Sequence, residues 1–260
     1  MVKIIAIIPA RMASSRFPGK PLAKISGIPM VGHCFIRTKM SKVLTDCYVA
    51  TPDKEIFNYI YSINGDAVMT SHRHIMCHDR VVEAVKKIEK QKKIKYDIVL
   101  NIQGDLPLVY PDMINNLVIP IVKNPKEVFT TTMMDEVIDK KDFYDPNRVK
   151  TVTDKNKDLI FVSRSPIPSD KKTKKKFKKF KHVAIRAYSR NFFDKISKLK
   201  ITPIEKIEGI DELRLLENGY KIRTVVTKRV TETVDTLTDL KKVIKMMNKD
   251  KLFKKYKNHY

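Results

Sequence analysis

Residues 7–22 run from an apolar strand into a loop that carries three cations, Arg11, Arg16 and Lys20. A strand that ends in small residues exposes backbone N–H groups, and cations at this spacing are able to converge on one polyanion. We therefore interpret the loop as a nucleoside triphosphate site. The alternative is a basic surface turn after a buried strand. The common phosphate-loop patterns G-x-x-x-x-G-K-[ST] and G-x-G-x-x-G do not occur in the chain, so the site must be of another kind.

Two aspartates are candidates for holding a metal ion beside such a triphosphate. Asp105 lies in the segment NIQGDLP at the end of a predicted buried strand, and Asp235 lies in TVDTLTDL just before the final predicted helix. Nucleotidyl transfer needs charge neutralised on both sides of the attacked phosphorus, and Mg²⁺ held by carboxylates and phosphate oxygens provides this. Each aspartate also has a simpler explanation, Asp105 as a turn former and Asp235 as a helix N-cap.

The loop and both aspartates resemble the motifs of the 3-deoxy-manno-octulosonate (Kdo) cytidylyltransferase family, which usually read QGDEP and VDTPEDL where this chain has QGDLP and VDTLTDL. The resemblance covers nearly the whole chain and extends more distantly to sialic acid activators and other sugar nucleotidyltransferases. It implies a Mg²⁺-dependent enzyme that transfers CMP from CTP to an acidic acceptor, Kdo or a related ulosonic acid, and releases pyrophosphate. It implies that the catalytic residues are Arg11, Lys20, Asp105 and Asp235, with Mg²⁺ on the two aspartates. It further implies that the nucleotide is bound by Pro9, Ala10, Arg11, Ser14, Arg16, Lys20, Arg80 and Gln103.

The motifs on the acceptor side depart from the family pattern. The resemblance assigns acceptor binding to Gln103, Arg164, His182, Arg186 and Asp211. The family's H-x-S-G-T-E-R becomes HIMCHDR at 74–80, H-x-G-I-Y becomes HVAIR at 182–186, and L-E-Q-L-R becomes IDELR at 210–214. Leu106 replaces the glutamate of QGDEP, and together with the new Arg186 it makes the expected acceptor side more positive by about two charges. A hydroxyl-binding site tolerates poorly the loss of polar partners. Two alternatives therefore stay open: the acceptor is not Kdo but a phosphonate or another small acid, or the motifs have drifted in sequence within an enzyme that still uses Kdo.

The composition favours a globular protein with an anionic ligand. The 260 residues carry a formal net charge of +24, mostly as lysine, which is typical of a solvated surface that attracts anionic substrates. A basic RNA-binding or scaffold protein on this fold is the competing class, but no platform of interleaved aromatic and cationic residues is apparent, so we expect no specific nucleic-acid partner. The three cysteines match neither a disulfide framework nor a zinc pattern, and neither a long apolar run nor a signal-peptide layout is present, so we expect a cytoplasmic protein without a membrane partner.

Alternating strands and helices are predicted to position the loops. The strands are expected at 2–8, 47–51, 67–70 and 96–102, and the helices at 29–42, 56–63 and 79–93. This alternation indicates an α/β protein with a Rossmann-like, mostly parallel sheet flanked by helices, with ligands at the carboxyl ends of the strands.

The pattern changes in the second half of the chain. Strand-like segments at 149–153, 160–163 and 183–188 have no helices between them, which indicates a smaller antiparallel insertion. A helix at 208–218, a strand at 222–226 and a helix at 237–247 follow. We expect a single nucleotidyltransferase domain over 1–260 with an inserted lobe at about 145–205, similar to nucleotide-diphospho-sugar transferases. The resemblance assigns this lobe to formation of a homodimer and to the acceptor side.

Overall fold

The fold is described from a computed structural model that covers residues 2–13, 17–74, 76–172 and 177–259. Contacts divide the chain into two compact units, the first formed by Met1–Asn115 with Thr231–Tyr260 and the second by Asn116–Val230. The inserted lobe expected at about 145–205 falls within the second unit. No helix in the described ranges is long and apolar enough to cross a membrane.

The strands of the chain are β1 (Ile4–Pro9), β2 (Lys24–Ile25), β3 (Ile28–Pro29), β4 (Asp46–Thr51), β5 (Ala67–Met69), β6 (Ile98–Ile102), β7 (Thr130–Glu136), β8 (Lys150–Thr153), β9 (Leu159–Ser163), β10 (Phe180–Ser189) and β11 (Arg223–Val226). The α-helices are α1 (Met30–Lys39), α2 (Lys54–Ser62), α3 (Cys77–Lys92), α4 (Pro111–Lys123), α5 (Lys140–Tyr144), α6 (Arg190–Ile196), α7 (Pro203–Glu208), α8 (Glu212–Glu217) and α9 (Leu237–Lys249). Through β6 these elements confirm the predicted alternation of strands and helices.

A parallel sheet with the strand order β6-β1-β4-β5 forms the core of the first unit. Every residue of β1 is buried, as expected for a continuous apolar run in the middle of a parallel sheet. Because the strands are parallel, the segments that follow β1, β4 and β6 emerge at the same edge of the sheet.

The C-terminal segment of the chain packs on α1 and satisfies the polar groups buried there. Arg37 pairs with Asp250 at 3.1 Å, and His33 Nε2 donates to the carbonyl of Ile25 at 2.8 Å. The other ring nitrogen, Nδ1, therefore accepts from the hydroxyl of Tyr256 at 2.7 Å. Burial lowers the pKa of His33 to about 4, so the ring is neutral at pH 7.

In the second unit, β7 lies between β11, which is parallel to it, and β10, which is antiparallel to it. The strand β8 pairs antiparallel with both β9 and β10. The antiparallel arrangement predicted for the strands at 149–153, 160–163 and 183–188 is therefore confirmed.

The prediction of a single helix at 208–218 is wrong. Two short helices, α7 and α8, occupy the region, and Gly209 ends the first of them with φ at +66°. This left-handed conformation favours glycine and stops a helix. The sequence pattern also did not predict α4, β7, α5 or α6.

Candidate active site

The phosphate loop predicted after β1 is fixed at its base by hydrogen bonds to neighbouring segments. Ala10 N–H donates to the carbonyl of Ala50 at 3.0 Å, and Met12 N–H donates to Asp53 Oδ2 at 2.7 Å. The Arg11 side chain between these anchors is exposed, which suits a group that meets a ligand. Two of the predicted nucleotide-binding residues, Ser14 and Arg16, lie outside the described residues.

Among the described residues of the loop, Lys20 is directed at both aspartates. Gly19 has φ at +74°, its N–H donates to the carbonyl of Met12 at 3.1 Å, and a 3-10 turn begins at Lys20. Lys20 Nζ lies 2.8 Å from Asp105 Oδ2 and 3.5 Å from Asp235 Oδ1. Asp105 and Asp235, which lie 85 and 215 residues after Lys20 in the chain, therefore converge on its ammonium group.

Close backbone packing brings Asp105 to the phosphate loop. A Cβ atom at Gly104 would lie 2.8 Å from the carbonyl oxygen of Pro9, so only glycine lets the segment after β6 approach the end of β1 this closely. Asp105 lies in the turn that follows, as the turn-former interpretation anticipated. Its carbonyl accepts a hydrogen bond from Val234 N–H at 3.0 Å, which ties the segment before α9 to the same place.

Asp235 lies next to the N-cap of α9 but is not the cap. Thr236 is the N-cap, and its hydroxyl accepts from Asp239 N–H at 3.2 Å in a capping box. The carboxylate of Asp239 in turn accepts from the backbone N–H groups of Asp235 and Thr236 at 3.1 and 2.9 Å. The interpretation of Asp235 as an N-cap is therefore wrong, and the capping box instead fixes the backbone that presents this carboxylate.

The charge of Lys20 is stabilised by its two partners. Burial opposes the ammonium form, but the charges and hydrogen bonds of Asp105 and Asp235 outweigh it and raise the pKa of Lys20 above its usual value. The side chains of Lys20, Asp105 and Asp235 are 13%, 26% and 17% exposed, so all three remain within reach of a ligand.

The aspartate pair fits Mg²⁺ that is also bound by a substrate phosphate. Oδ2 of Asp105 and Oδ1 of Asp235 lie on the same ammonium group, at 2.8 Å and 3.5 Å from its nitrogen, so they face one small volume. No cluster of three or more His, Cys, Asp and Glu side chains suited to a metal ion occurs in the described part of the chain. Two carboxylates completed by phosphate oxygens and water are the ligand set that Mg²⁺ ordinarily takes beside a nucleotide.

Arg80, on α3, is directed at its own loop. Its Nη1 atom donates to Thr70 Oγ1 at 2.6 Å and to the carbonyl of Ser71 at 3.1 Å, and Nη2 donates to the carbonyl of His74 at 3.3 Å. Burial lowers the pKa of Arg80 from its usual value, and the nearby Arg11 cation adds to this lowering. Arg80 thus places a second positive charge near Arg11 while it braces residues 70–74.

Gln103, assigned to both the nucleotide and the acceptor, directly follows β6. Its Nε2 atom donates to Asn101 Oδ1 at 3.4 Å, and its side chain is half-buried. Leu106, which stands where a carboxylate is usual in the family motif, is fully buried. Leucine at this position therefore fills the core of the first unit.

Three of the residues assigned to the acceptor meet in the second unit, around a glutamate that sequence reasoning missed. Arg186 Nε donates to Glu212 Oε1, and Arg186 Nη1 donates to Asp211 Oδ2 at 2.8 Å. His182 Nε2 lies 2.7 Å from Glu212 Oε1 and 2.9 Å from Thr132 Oγ1. We call His182, Arg186, Asp211 and Glu212 the acceptor cluster.

The charges within the acceptor cluster compensate one another. Burial opposes ionisation of Arg186, but the charges of Glu212 and Asp211 raise its pKa well above the usual value. Burial likewise opposes ionisation of Glu212, but the charge of Arg186 and contact with His182 hold its pKa well below the usual range. The expectation of a more positive acceptor side is therefore wrong in this unit, because two carboxylates neutralise the cation that replaces the family's tyrosine.

The sequence carried a signal for Glu212. IDELR replaces L-E-Q-L-R, so a glutamate stands where the family has a glutamine, and an arginine stands where it has the tyrosine of H-x-G-I-Y. Two departures of opposite charge in one chain predict an ion pair if the two segments meet, and they do.

Arg164 is held by backbone and side-chain contacts elsewhere in the second unit. Its Nε atom donates to the carbonyl of Glu208 at 2.8 Å and its Nη1 atom to the carbonyl of Pro146 at 3.1 Å. Its own N–H donates to Glu208 Oε2 at 3.0 Å. These bonds join the residue to the end of α7, and they differ from those of the acceptor cluster.

Comparison with known proteins shows the family to which the chain belongs. A family model described as cytidylyltransferase matches residues 5–222. A 3-deoxy-manno-octulosonate cytidylyltransferase of Fusobacterium nucleatum is 39% identical over 251 residues, which cover 96% of this chain and 99% of that protein. An 8-amino-3,8-dideoxy-manno-octulosonate cytidylyltransferase of Shewanella pealeana is 38% identical over 240 residues, which cover 92% of this chain and 96% of that protein.

Solved structures show the same relationship. The structure of a CMP:2-keto-3-deoxy-manno-octonic acid synthetase complexed with CTP superposes with a TM-score of 0.84 at 33% identity, covering 95% of this chain and 99% of that one. A glucose-1-phosphate thymidylyltransferase of Bacillus anthracis shares the fold, with a TM-score of 0.61 at 17% identity. The α/β architecture with a mostly parallel sheet flanked by helices is thus the architecture of nucleotidyltransferases.

Proposed function

Because the chain belongs to the cytidylyltransferase family, we propose that it transfers CMP from CTP to a hydroxyl group of Kdo or a related ulosonic acid and releases pyrophosphate. In this reaction the acceptor oxygen bonds to the α-phosphorus while the bond from that phosphorus to the bridging oxygen of the β-phosphate breaks. The hydroxyl proton is lost, and pyrophosphate carries the leaving electron pair.

The observation that carries the proposal is the convergence of Lys20, Asp105 and Asp235 at the carboxyl edge of the parallel sheet. Lys20 supplies one positive charge for the triphosphate, and the exposed Arg11 supplies a second. Because charge develops on the phosphoryl oxygens and on the leaving pyrophosphate, cations held in advance at this edge stabilise the transition state.

Asp105 and Asp235 are the residues that would hold Mg²⁺. When bound there, Mg²⁺ would polarise the phosphate oxygens and lower the pKa of a coordinated hydroxyl. The chain's own contribution is to present both carboxylates on backbones fixed by the close contact at Gly104 and by the capping box of Thr236.

The acceptor is proposed to bind at the acceptor cluster. Similarity to enzymes named for Kdo and for its 8-amino derivative supports a hydroxylated acid as the substrate. Within the described residues, the Oε2 atom of Glu212 is buried without a side-chain partner, so a ligand hydroxyl or amine that reaches it would supply the missing hydrogen bond. The neutralised charge of Arg186 removes the main reason to favour a phosphonate.

A panel assay tests the proposal. The protein is incubated with MgCl2, each of the four nucleoside triphosphates, and Kdo, 8-amino-Kdo, sialic acid or a phosphonate, and pyrophosphate release is measured. We expect release with CTP and an ulosonic acid of the Kdo type. Release with a phosphonate alone would replace the proposed acceptor, and absence of release with every pair would refute the enzyme and favour an RNA-binding or scaffold role.

We further propose that the protein is a cytoplasmic homodimer, and the resemblance is what implied the dimer. Large apolar side chains are exposed in the second unit, among them Ile138 at 86% and Ile207 at 83%. A dimer interface would bury such side chains where they form a continuous apolar patch. Light scattering should give twice the chain mass of 30.2 kDa, and a mass of one chain would remove the dimer from the proposal.

A further inference from the structure

Lys20 occupies the carboxylate oxygens that a metal ion would use. Its ammonium group contacts Oδ2 of Asp105 and Oδ1 of Asp235, and its side chain is largely buried between them. A magnesium ion binds carboxylate oxygens at about 2.1 Å and requires near-octahedral geometry around itself. An ammonium group and a divalent cation that share these two aspartates therefore lie close enough to repel each other strongly.

We infer that Lys20 is the counter-ion of the nucleotide-free site and that it couples Mg²⁺ binding to triphosphate binding. Without nucleotide, Mg²⁺ must displace the Lys20 ammonium group from its carboxylates or bind against its repulsion. A triphosphate gives Lys20 new anionic oxygens and frees the aspartates for the metal ion. The inference rests on the proposed function in taking the ligand to be a nucleoside triphosphate.

Formal charges show why the metal ion alone is disfavoured. For Lys20, Asp105 and Asp235 taken by themselves, the charges sum to −1, and a divalent cation added alone changes this sum to +1. With a neutral side chain at position 20, the same addition would bring the sum from −2 to zero. Net charge is costly where water is partly excluded, so removal of the Lys20 charge favours binding of the metal ion by itself.

Isothermal titration of MgCl2 into the nucleotide-free protein tests this directly. We expect Lys20→Met to bind Mg²⁺ at least tenfold more tightly than the unmodified protein does, although it loses an ion pair. Lys20→Arg keeps the charge and should bind Mg²⁺ as the unmodified protein does. Lys24→Met is the matched control, because Lys24 is an exposed lysine four residues along the chain. Equal or weaker Mg²⁺ binding in Lys20→Met would overturn the inference.

A second measurement covers the case in which Lys20→Met does not fold. The dissociation constant of CTP is measured in EDTA and in saturating MgCl2 for the unmodified protein and for Lys20→Gln, whose folding is checked by circular dichroism. Binding of Mg²⁺ to CTP in solution is common to both proteins, so it cancels from the comparison. The ratio of the constant in EDTA to the constant in MgCl2 measures how much Mg²⁺ strengthens CTP binding. We expect this ratio to be at least tenfold smaller in Lys20→Gln, since coupling between two ligands is reciprocal.

An unchanged ratio would also overturn the inference. Neither titration uses an acceptor or turnover. Failure of the panel assay to release pyrophosphate would therefore contradict the proposed function and leave the role of Lys20 as a counter-ion to be judged by these affinities alone.

Discussion

Replacement of the buried ion pair in the acceptor cluster provides a quantitative test of the second unit. Arg186→Tyr and Glu212→Gln install the residues found in the family motifs. The side chain of Glu212 is fully buried, and without Arg186 it still contacts His182 and Thr132. Removal of one partner of a buried pair costs about 3–5 kcal/mol, so Arg186→Tyr should lose that much stability.

The other single variant, Glu212→Gln, should lose less stability than Arg186→Tyr. In Glu212→Gln, Arg186 retains Asp211 at 2.8 Å, and the loss should be about 1–3 kcal/mol, the range for a broken hydrogen bond to a buried charged group. In the double variant neither charge is left buried and unpaired. We therefore expect a coupling free energy of about 2–3 kcal/mol, in the upper range seen for residues in contact.

Urea unfolding at pH 7, followed by circular dichroism, measures this cycle. The matched control is the exposed pair formed by Lys178 and Glu136 at 2.9 Å, whose side chains are 72% and 38% exposed. Exchange of both for glutamine should give a coupling below about 1 kcal/mol, as for other surface pairs. Strict additivity of the Arg186 and Glu212 variants would refute the description of these residues as one compensated unit.

Three further predictions concern the first unit. Asp105→Asn and Asp235→Asn should each lower turnover about 100-fold or more with the fold retained, because several kcal/mol of transition-state stabilisation depend on the metal ligands. Near-normal pyrophosphate release in either variant would remove that residue from the metal site. Gly104→Ala places a Cβ atom 2.8 Å from the Pro9 carbonyl oxygen and should cost about 1–3 kcal/mol in urea unfolding as well as turnover; unchanged values would contradict the close approach of the two segments. His33 binds a proton near pH 6.5 in the unfolded chain but only near pH 4 in the folded chain, so lowering the pH from 7 to 5 reduces the stability of the folded protein by about 2 kcal/mol. His33→Gln should lose that part of the pH dependence. An identical pH profile in this variant would place the proton elsewhere.

The sequence predicted the first half of the fold because its signals there are local. Apolar runs such as residues 4–9, separated by amphipathic segments, alternate within short windows, and a parallel sheet follows from them. The region around Gly209 was harder, because the helical periodicity continues across a residue whose left-handed conformation ends the helix. Thr202 and Glu205 form a capping box that marks the start of α7, and this signal could have separated the two helices.

The candidate site was predictable as a set of residues but not as an arrangement. Resemblance selected Lys20, Asp105 and Asp235, yet no spacing in the sequence shows that one ammonium group touches both carboxylates. Arg186 illustrates the opposite case. Taken alone, it added a positive charge to the acceptor side, and only the fold brings it to Asp211 and Glu212, which cancel that charge. Long-range pairing, which local patterns do not contain, decided both results.

The most direct test of the central claim is to identify the product by phosphorus NMR after incubation of the protein with CTP, Kdo and MgCl2. The reaction proposed for Lys20, Asp105 and Asp235 predicts a single phosphodiester resonance for CMP-linked Kdo, together with an equal amount of pyrophosphate. Free CMP in place of the conjugate, or pyrophosphate released equally well without the acceptor, would contradict it.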